Sequence, residues 1–202
     1  MYILSRKHKF VCHLVPKVAT RSLLQYFVRE PHEDYEAKHV SRVCFTRGYF
    51  HFGFMRNPYA RLVSAYLNKI KNNNREDVQR ILKPHGMYCN MPFYEFIDIV
   101  CRENDRKADD HWKSQHLFLK GADVIGTMES IDVDFDNFCF FLRIKNYGLE
   151  RSNHTTENGG WNYLPTESRN FVDYMNFFDG YTKKLVKERY HKDFRLYEEA
   201  TS

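Results

Sequence analysis

Lys17, Thr20, Arg21 and Ser22 are four polar side chains packed into six consecutive positions, and they follow a short apolar run, Phe10 to Val15, that ends at Pro16. Leu23, Leu24, Phe27 and Val28 then recur at helical spacing and stop before Pro31. A loop between a strand and a helix N-terminus offers unpaired backbone N–H groups and the positive end of the helix dipole, so this stretch is a natural anion site. No G-x-x-x-x-G-K-[ST] occurs in the chain, and no Ser or Thr directly follows Lys17 to hold magnesium. Ordinary ATP or GTP hydrolysis is therefore disfavoured.

The elements needed to position such a loop can be read around it. Tyr49 to Met55 is aromatic-rich and strand-like, Pro58 suits a first helical turn, and Tyr59, Leu62, Val63, Tyr66, Leu67 and Ile70 form one apolar helix face. Phe93, Phe96, Ile97, Val100 and Cys101 mark another amphipathic helix, and Asp123 to Met128 reads as a short strand. Phe135, Phe138, Cys139 and Leu142 give a further helix. Asn158-Gly159-Gly160 gives a flexible loop, and Tyr181, Leu185, Val186 and Arg189 begin a last helix running toward Tyr197. Strands alternating with helices predict an α/β fold: a central parallel β-sheet flanked by helices, with ligands at the carboxyl ends of its strands.

Composition sets the outer limits. The 202 residues suit a single domain over 1–202, and the 43% hydrophobic content argues for a compact core and against disorder. Thirty-one Lys and Arg against 26 Asp and Glu leave a net charge of +5, which favours an anionic ligand without requiring nucleic acid. Arg6-Lys7-His8-Lys9 is too short for a nucleic-acid arm and reads as a solvated strand entry. The five cysteines are scattered without a C-x-x-C pair, so neither a disulfide framework nor a zinc site is indicated, and a reducing compartment fits. With no 18-residue apolar stretch and no signal-peptide h-region, the chain as given is expected to be soluble and cytoplasmic. A luminal Golgi location applies if it is cut from an anchored protein.

Val15-Pro16-Lys17-Val18-Ala19-Thr20-Arg21-Ser22 resembles the 5′-phosphosulfate loop of sulfotransferases that use 3′-phosphoadenosine-5′-phosphosulfate (PAPS), in particular the carbohydrate-modifying, Golgi-type family 2 branch. Phe54 to Tyr66 resembles that family's 3′-phosphate motif, R-x-P-x-x-R-L-x-S-x-Y. The spacing has a physical reason. Arg56 sits where a strand ends and Ser64 lies two helical turns beyond Pro58, so both can point to one side and clamp the 3′-phosphate. Arg61 is expected to support the loop or a structural carboxylate. Asp110-His111-Trp112 with Gln115, Asp123-Val124-Ile125-Gly126-Thr127-Met128-Glu129, and Tyr190 to Phe194 are similar to further segments of the same branch. The resemblance implies a P-loop NTPase-like sulfotransferase fold, PAPS as donor, adenosine 3′,5′-bisphosphate as product, and no metal.

The same resemblance implies roles for individual residues. Lys17 would stabilise the leaving phosphate, helped by N–H groups of Val18, Ala19, Thr20, Arg21 and Ser22. His39, in Lys38-His39-Val40-Ser41, resembles the histidine that serves as general base in carbohydrate 2-O-sulfotransferases, although Ala37 and Lys38 replace a second histidine. His111 is the rival base or an acceptor contact. His51 reads as a sheet histidine, His13 is close enough in sequence to orient the loop, and Trp161 and Tyr163 follow the glycine pair where relatives cover the nucleotide. The expected acceptor is a hydroxyl of a carbohydrate-like molecule. Two alternatives stand beside this reading: a non-catalytic nucleotide- or polyanion-binding module, and a P-loop-like nucleotide kinase.

Overall fold

The computed structural model describes residues 1–29, 37–71, 73, 75–149 and 173–202. Its strands are β1 (Tyr2–Ser5), β2 (Phe10–His13), β3 (Ala37–Val40), β4 (Phe50–Met55) and β5 (Val124–Thr127). The α-helices are α1 (Thr20–Leu24), α2 (Pro58–Lys69), α3 (Glu76–Leu82), α4 (Phe93–Arg102), α5 (Gln115–Phe118), α6 (Ile131–Phe141), α7 (Gly180–Arg189) and α8 (His191–Thr201). The chain divides into two compact units, one of residues 1–57, 115–152 and 196–202, the other of residues 58–114 and 153–195.

The first unit is α/β. Its five strands lie in the order β3-β1-β2-β4-β5. β2, β4 and β5 are mutually parallel, as expected for a central parallel sheet flanked by helices. β1 runs antiparallel to both β2 and β3, so the sheet as a whole is mixed. The reason lies in the connection. Arg6-Lys7-His8-Lys9 turns back directly from β1 into β2, and a link that short can join only antiparallel neighbours, because a parallel pair needs a crossover of a dozen or more residues. The basic tetrad is thus a hairpin turn, closed by Lys9 at φ 49°.

All four residues of β2 are buried, as a strand covered on both faces requires. On one face Phe10, Cys12, Phe52 and Phe54 pack with Leu23, Phe27, Phe135, Phe138 and Cys139 from α1, the π-helical turn that continues it (Gln25–Arg29) and α6. On the opposite face a Cβ at Gly53 would lie 2.6 Å from Leu119 Cδ2 and 3.0 Å from the His13 carbonyl oxygen, so a side chain there would collide. The closing residues of α8, Leu196, Tyr197 and Ala200, join the same core.

The second unit is helical. Its core gathers Leu62, Val63, Tyr66 and Leu67 of α2 with Phe96, Ile97 and Val100 of α4, Val186 of α7, and the fully buried Trp112. The buried polar groups there are paired with backbone or carboxylates. Tyr66 Oη donates to the Met91 carbonyl at 2.9 Å, Trp112 Nε1 to Glu103 at 3.0 Å, and Tyr190 Oη to the Trp112 carbonyl at 2.6 Å. The helical spacing from Tyr181 toward Tyr197 is broken at Tyr190 into α7 and α8. Among the described residues no helix is long and apolar enough to cross a membrane.

Candidate active site

Because β2, β4 and β5 are parallel, their carboxyl ends lie along one edge of the sheet. The segment after β2 is the Pro16 to Ser22 loop, and the segment after β4 is the corner at Arg56 and Asn57. These two strands are hydrogen-bonded neighbours, with His13 level with Gly53. Adjacent strands are ~4.8 Å apart, so the loop and the corner begin side by side.

The loop has a shape that its composition conceals. Lys17 and Ala19 both take left-handed backbone conformations, at φ 72° and φ 47°, while Val18 between them does not. Left-handed conformations cost a residue with a Cβ ~1–2 kcal/mol each. Residues alternating in hand turn successive N–H groups toward one point and form an anion-binding concavity. Several contacts hold this strained form. Val18 N donates to the Val15 carbonyl at 3.1 Å, Thr20 Oγ1 donates to the same carbonyl at 2.7 Å, and Leu23 N donates to Ala19 at 3.0 Å. Val18 is 1% exposed, so its side chain anchors the loop in the core. Lys17 and Ser22 are half-buried and Arg21 is exposed.

The corner after β4 is clamped from three directions. Met128 N donates to the Met55 carbonyl at 2.7 Å. Gln115, fully buried at the start of α5, accepts from Arg56 N at 3.1 Å and donates through Nε2 to the Arg56 carbonyl at 2.8 Å. Glu129 accepts from Asn57 N at 3.3 Å. A loop with left-handed residues at Lys17 and Ala19, beside an arginine whose backbone is fixed, at the carboxyl edge of parallel strands, suits a phosphorylated nucleotide. The family model described as the sulfotransferase family matches residues 1–198. The chain belongs to sulfotransferase family 2. Comparison with curated proteins and with solved structures finds no match.

Family membership accounts for the P-loop-like order of strand, loop and helix, and the structure explains several sulfotransferase motif positions. Gln115 and Glu129, the last polar residues of two motif segments, are the side chains that hold the Arg56–Asn57 backbone. Gly126 is required by close packing, since a Cβ there would lie 2.9 Å from Asp134 Cβ and Oδ2 and from Phe54. That Asp134 carboxylate in turn accepts from Thr127 N at 2.8 Å and Ser130 Oγ at 2.6 Å, closing the turn after β5.

Within the second unit, Arg61 is 1% exposed and donates to the carbonyls of Lys113 at 2.7 Å and Asp110 at 2.9 Å. Burial draws its pKa down, and the buried Asp193 carboxylate works against that. Arg61 thus supports structural groups, among them the Asp193 of the C-terminal motif. Ser64, one turn on in α2, is 4% exposed. Arg56 belongs to the first unit and Ser64 to the second.

The two candidate bases sit in different surroundings. His39 is exposed on β3, level with Ile3 of β1 and one residue from the strand's carboxyl end. That end is on the same edge as the loop, since Val40 and His13 both pair with Tyr2, and β3 is two strands, ~10 Å, from β2. His111, in the second unit, is half-buried with Nδ1 2.5 Å from Asp109 Oδ1. Burial works to raise the Asp109 pKa, but hydrogen bonds from the His111 ring and backbone hold it below the usual carboxylate range. Such a pair places a proton on Nδ1 and orients the ring. Asp109 is the site residue that the motif segment, beginning at Asp110, leaves out; its signal is an acidic residue two positions before a histidine.

His13 and His51 form a pair of their own. His13 Nδ1 lies 2.9 Å from the Phe118 carbonyl and Nε2 lies 3.1 Å from His51 Nδ1, an arrangement that neutral His13 satisfies by donating from Nδ1 and accepting at Nε2. Burial lowers the His13 pKa. Among the described residues no group of three or more His, Cys, Asp or Glu could hold a metal ion. Trp161 and Tyr163, with the loop at Asn158-Gly159-Gly160, lie outside the described residues.

Proposed function

We propose that this sulfotransferase takes its sulfuryl group from PAPS and passes it to a hydroxyl of a carbohydrate-like acceptor, with residues 1–202 working as one domain. The observation that carries the reading is the left-handed pair Lys17 and Ala19, a backbone form suited to an anion, at the sheet edge shared with the Arg56 corner. The 5′-phosphosulfate lies against Lys17, Val18, Ala19, Thr20, Arg21 and Ser22, and Arg56 takes the 3′-phosphate.

In this reading His39 accepts the acceptor's hydroxyl proton as the new O–S bond forms in line with the breaking S–O bond. Lys17 places its ammonium on the bridging oxygen, where negative charge grows as adenosine 3′,5′-bisphosphate leaves. The exposure of His39 on an edge strand leaves room for a bulky acceptor, and its position at the loop-side end of β3 supports its choice over His111. His111, with its ring oriented by Asp109, is assigned to the acceptor or to a second base.

Lys17→Ala and His39→Ala test this together. Each is expected to lose turnover while calorimetry still detects adenosine 3′,5′-bisphosphate binding. Tight binding by the wild type with no transfer to any acceptor would make the chain a nucleotide-binding module instead.

A further inference from the structure

We infer that Gln115 is a positioning residue for the donor's 3′-phosphate, acting through the backbone of Arg56. The inference rests on the proposed donor site and adds how its arginine is aimed. An amide side chain that accepts from a residue's N–H and donates to the same residue's C=O replaces the partner that a neighbouring strand would supply. Gln115 does this to Arg56 at 3.1 Å and 2.8 Å, immediately beyond the last residue of β4. Both bonds are satisfied by only one orientation of the amide, because the backbone N–H can only donate and the carbonyl can only accept.

The consequence is a register. With both backbone groups bonded to one amide, as a strand residue's are to a neighbouring strand, Arg56 continues the two-residue alternation of β4 and shares the parity of Phe52 and Phe54. Those two rings pack on the face covered by α1 and α6, and α1 is the helix that the phosphosulfate loop opens. A slip of one residue would turn Arg56 to the opposite face. Gln115 is 0% exposed and its amide is bonded at both ends, so it is buried at a cost that only a specific backbone position repays. Glu129 on Asn57 N and Met128 N on the Met55 carbonyl fix the residues on either side, and Gln115 holds the backbone of Arg56 between them.

A merely structural role would weaken all ligands alike, so the test is a ratio. Affinities for adenosine 3′,5′-bisphosphate and adenosine 5′-phosphate are measured by calorimetry on wild type, Gln115→Met, Gln115→Glu and Arg56→Ala. In Gln115→Met the preference for the bisphosphate is expected to fall about tenfold, the factor one misplaced charge-assisted hydrogen bond costs, while monophosphate affinity holds. Gln115→Glu, which can still accept from Arg56 N, should fall between wild type and Gln115→Met. An unchanged ratio in Gln115→Met alongside a collapsed ratio in Arg56→Ala overturns the positioning role and leaves the donor site standing. An unchanged ratio in Arg56→Ala overturns the donor site itself, and the inference with it. If neither Gln115 variant folds, amide exchange in the wild type decides: slow exchange at Arg56 supports the bracing, and exchange at the unprotected rate refutes it.

Discussion

Thr20 Oγ1 donates to the Val15 carbonyl at 2.7 Å, tying the first residue of α1 to the segment that leaves β2. The bond closes the loop across Lys17 and Ala19, the two residues whose left-handed backbones are its main strain.

Thr20→Val keeps the shape of the side chain and removes this bond. Stability to urea should drop by ~1 kcal/mol, and adenosine 3′,5′-bisphosphate affinity should fall further than that loss alone explains, because the loop relaxes from its concave form. Thr20→Ser should recover both. Urea melts and calorimetry on the three proteins check the pattern.

Gly126→Ala should destabilise the fold by ~1–3 kcal/mol, measured by chemical denaturation, because a tightly packed site must shift to admit the methyl group. The collision is with Asp134 and Phe54, each 2.9 Å from the added atom, so the Thr127–Ser130–Asp134 turn moves with it.

These sites show where the sequence is transparent and where it is opaque. β4, α2, α4 and α6 follow from hydrophobic spacing because each has a continuous buried face. β1 and β3 escape because four residues carry too little periodicity, and β3 is an exposed edge containing Lys38 and His39. The break between α7 and α8 carries no Gly or Pro; it falls at Tyr190, whose hydroxyl is held by the Trp112 carbonyl, a partner 78 positions away. The Pro16 to Ser22 segment is legible as a loop, but its left-handed pair is not, since glycine would be the usual sign and Lys17 and Ala19 stand there instead. Gln115 and Glu129 are visible as motif letters, and only the fold reveals that their partners are the backbone around Arg56.

Arg61→Met should cost ~3–5 kcal/mol, since it strips a buried carboxylate, Asp193, of its supporting charge and two carbonyls of their donor. Arg61→Lys should recover little, because an ammonium cannot span the Lys113 and Asp110 carbonyls as the guanidinium fork does. Thermal melts of both variants measure this.

Stability should also carry a signature of His13. Its folded pKa is lowered by burial, so the unfolded chain takes up the proton first as pH falls. The neutral ring's contribution is full above the unfolded value of about 6.5 and is lost as pH drops from there toward the folded value. His13→Gln should be less stable than wild type at pH 7.5, and the gap should narrow at pH 5.5. A gap that widened on acidification would contradict the assignment.

Transfer of radiolabelled sulfate from PAPS, screened over carbohydrate and other hydroxyl acceptors, tests the central claim most directly. Label is expected to move to a carbohydrate-like acceptor with release of adenosine 3′,5′-bisphosphate, and Lys17→Ala to lower kcat by about a hundredfold or more. Absence of label transfer to every acceptor, together with magnesium-dependent phosphate transfer from ATP, would contradict it.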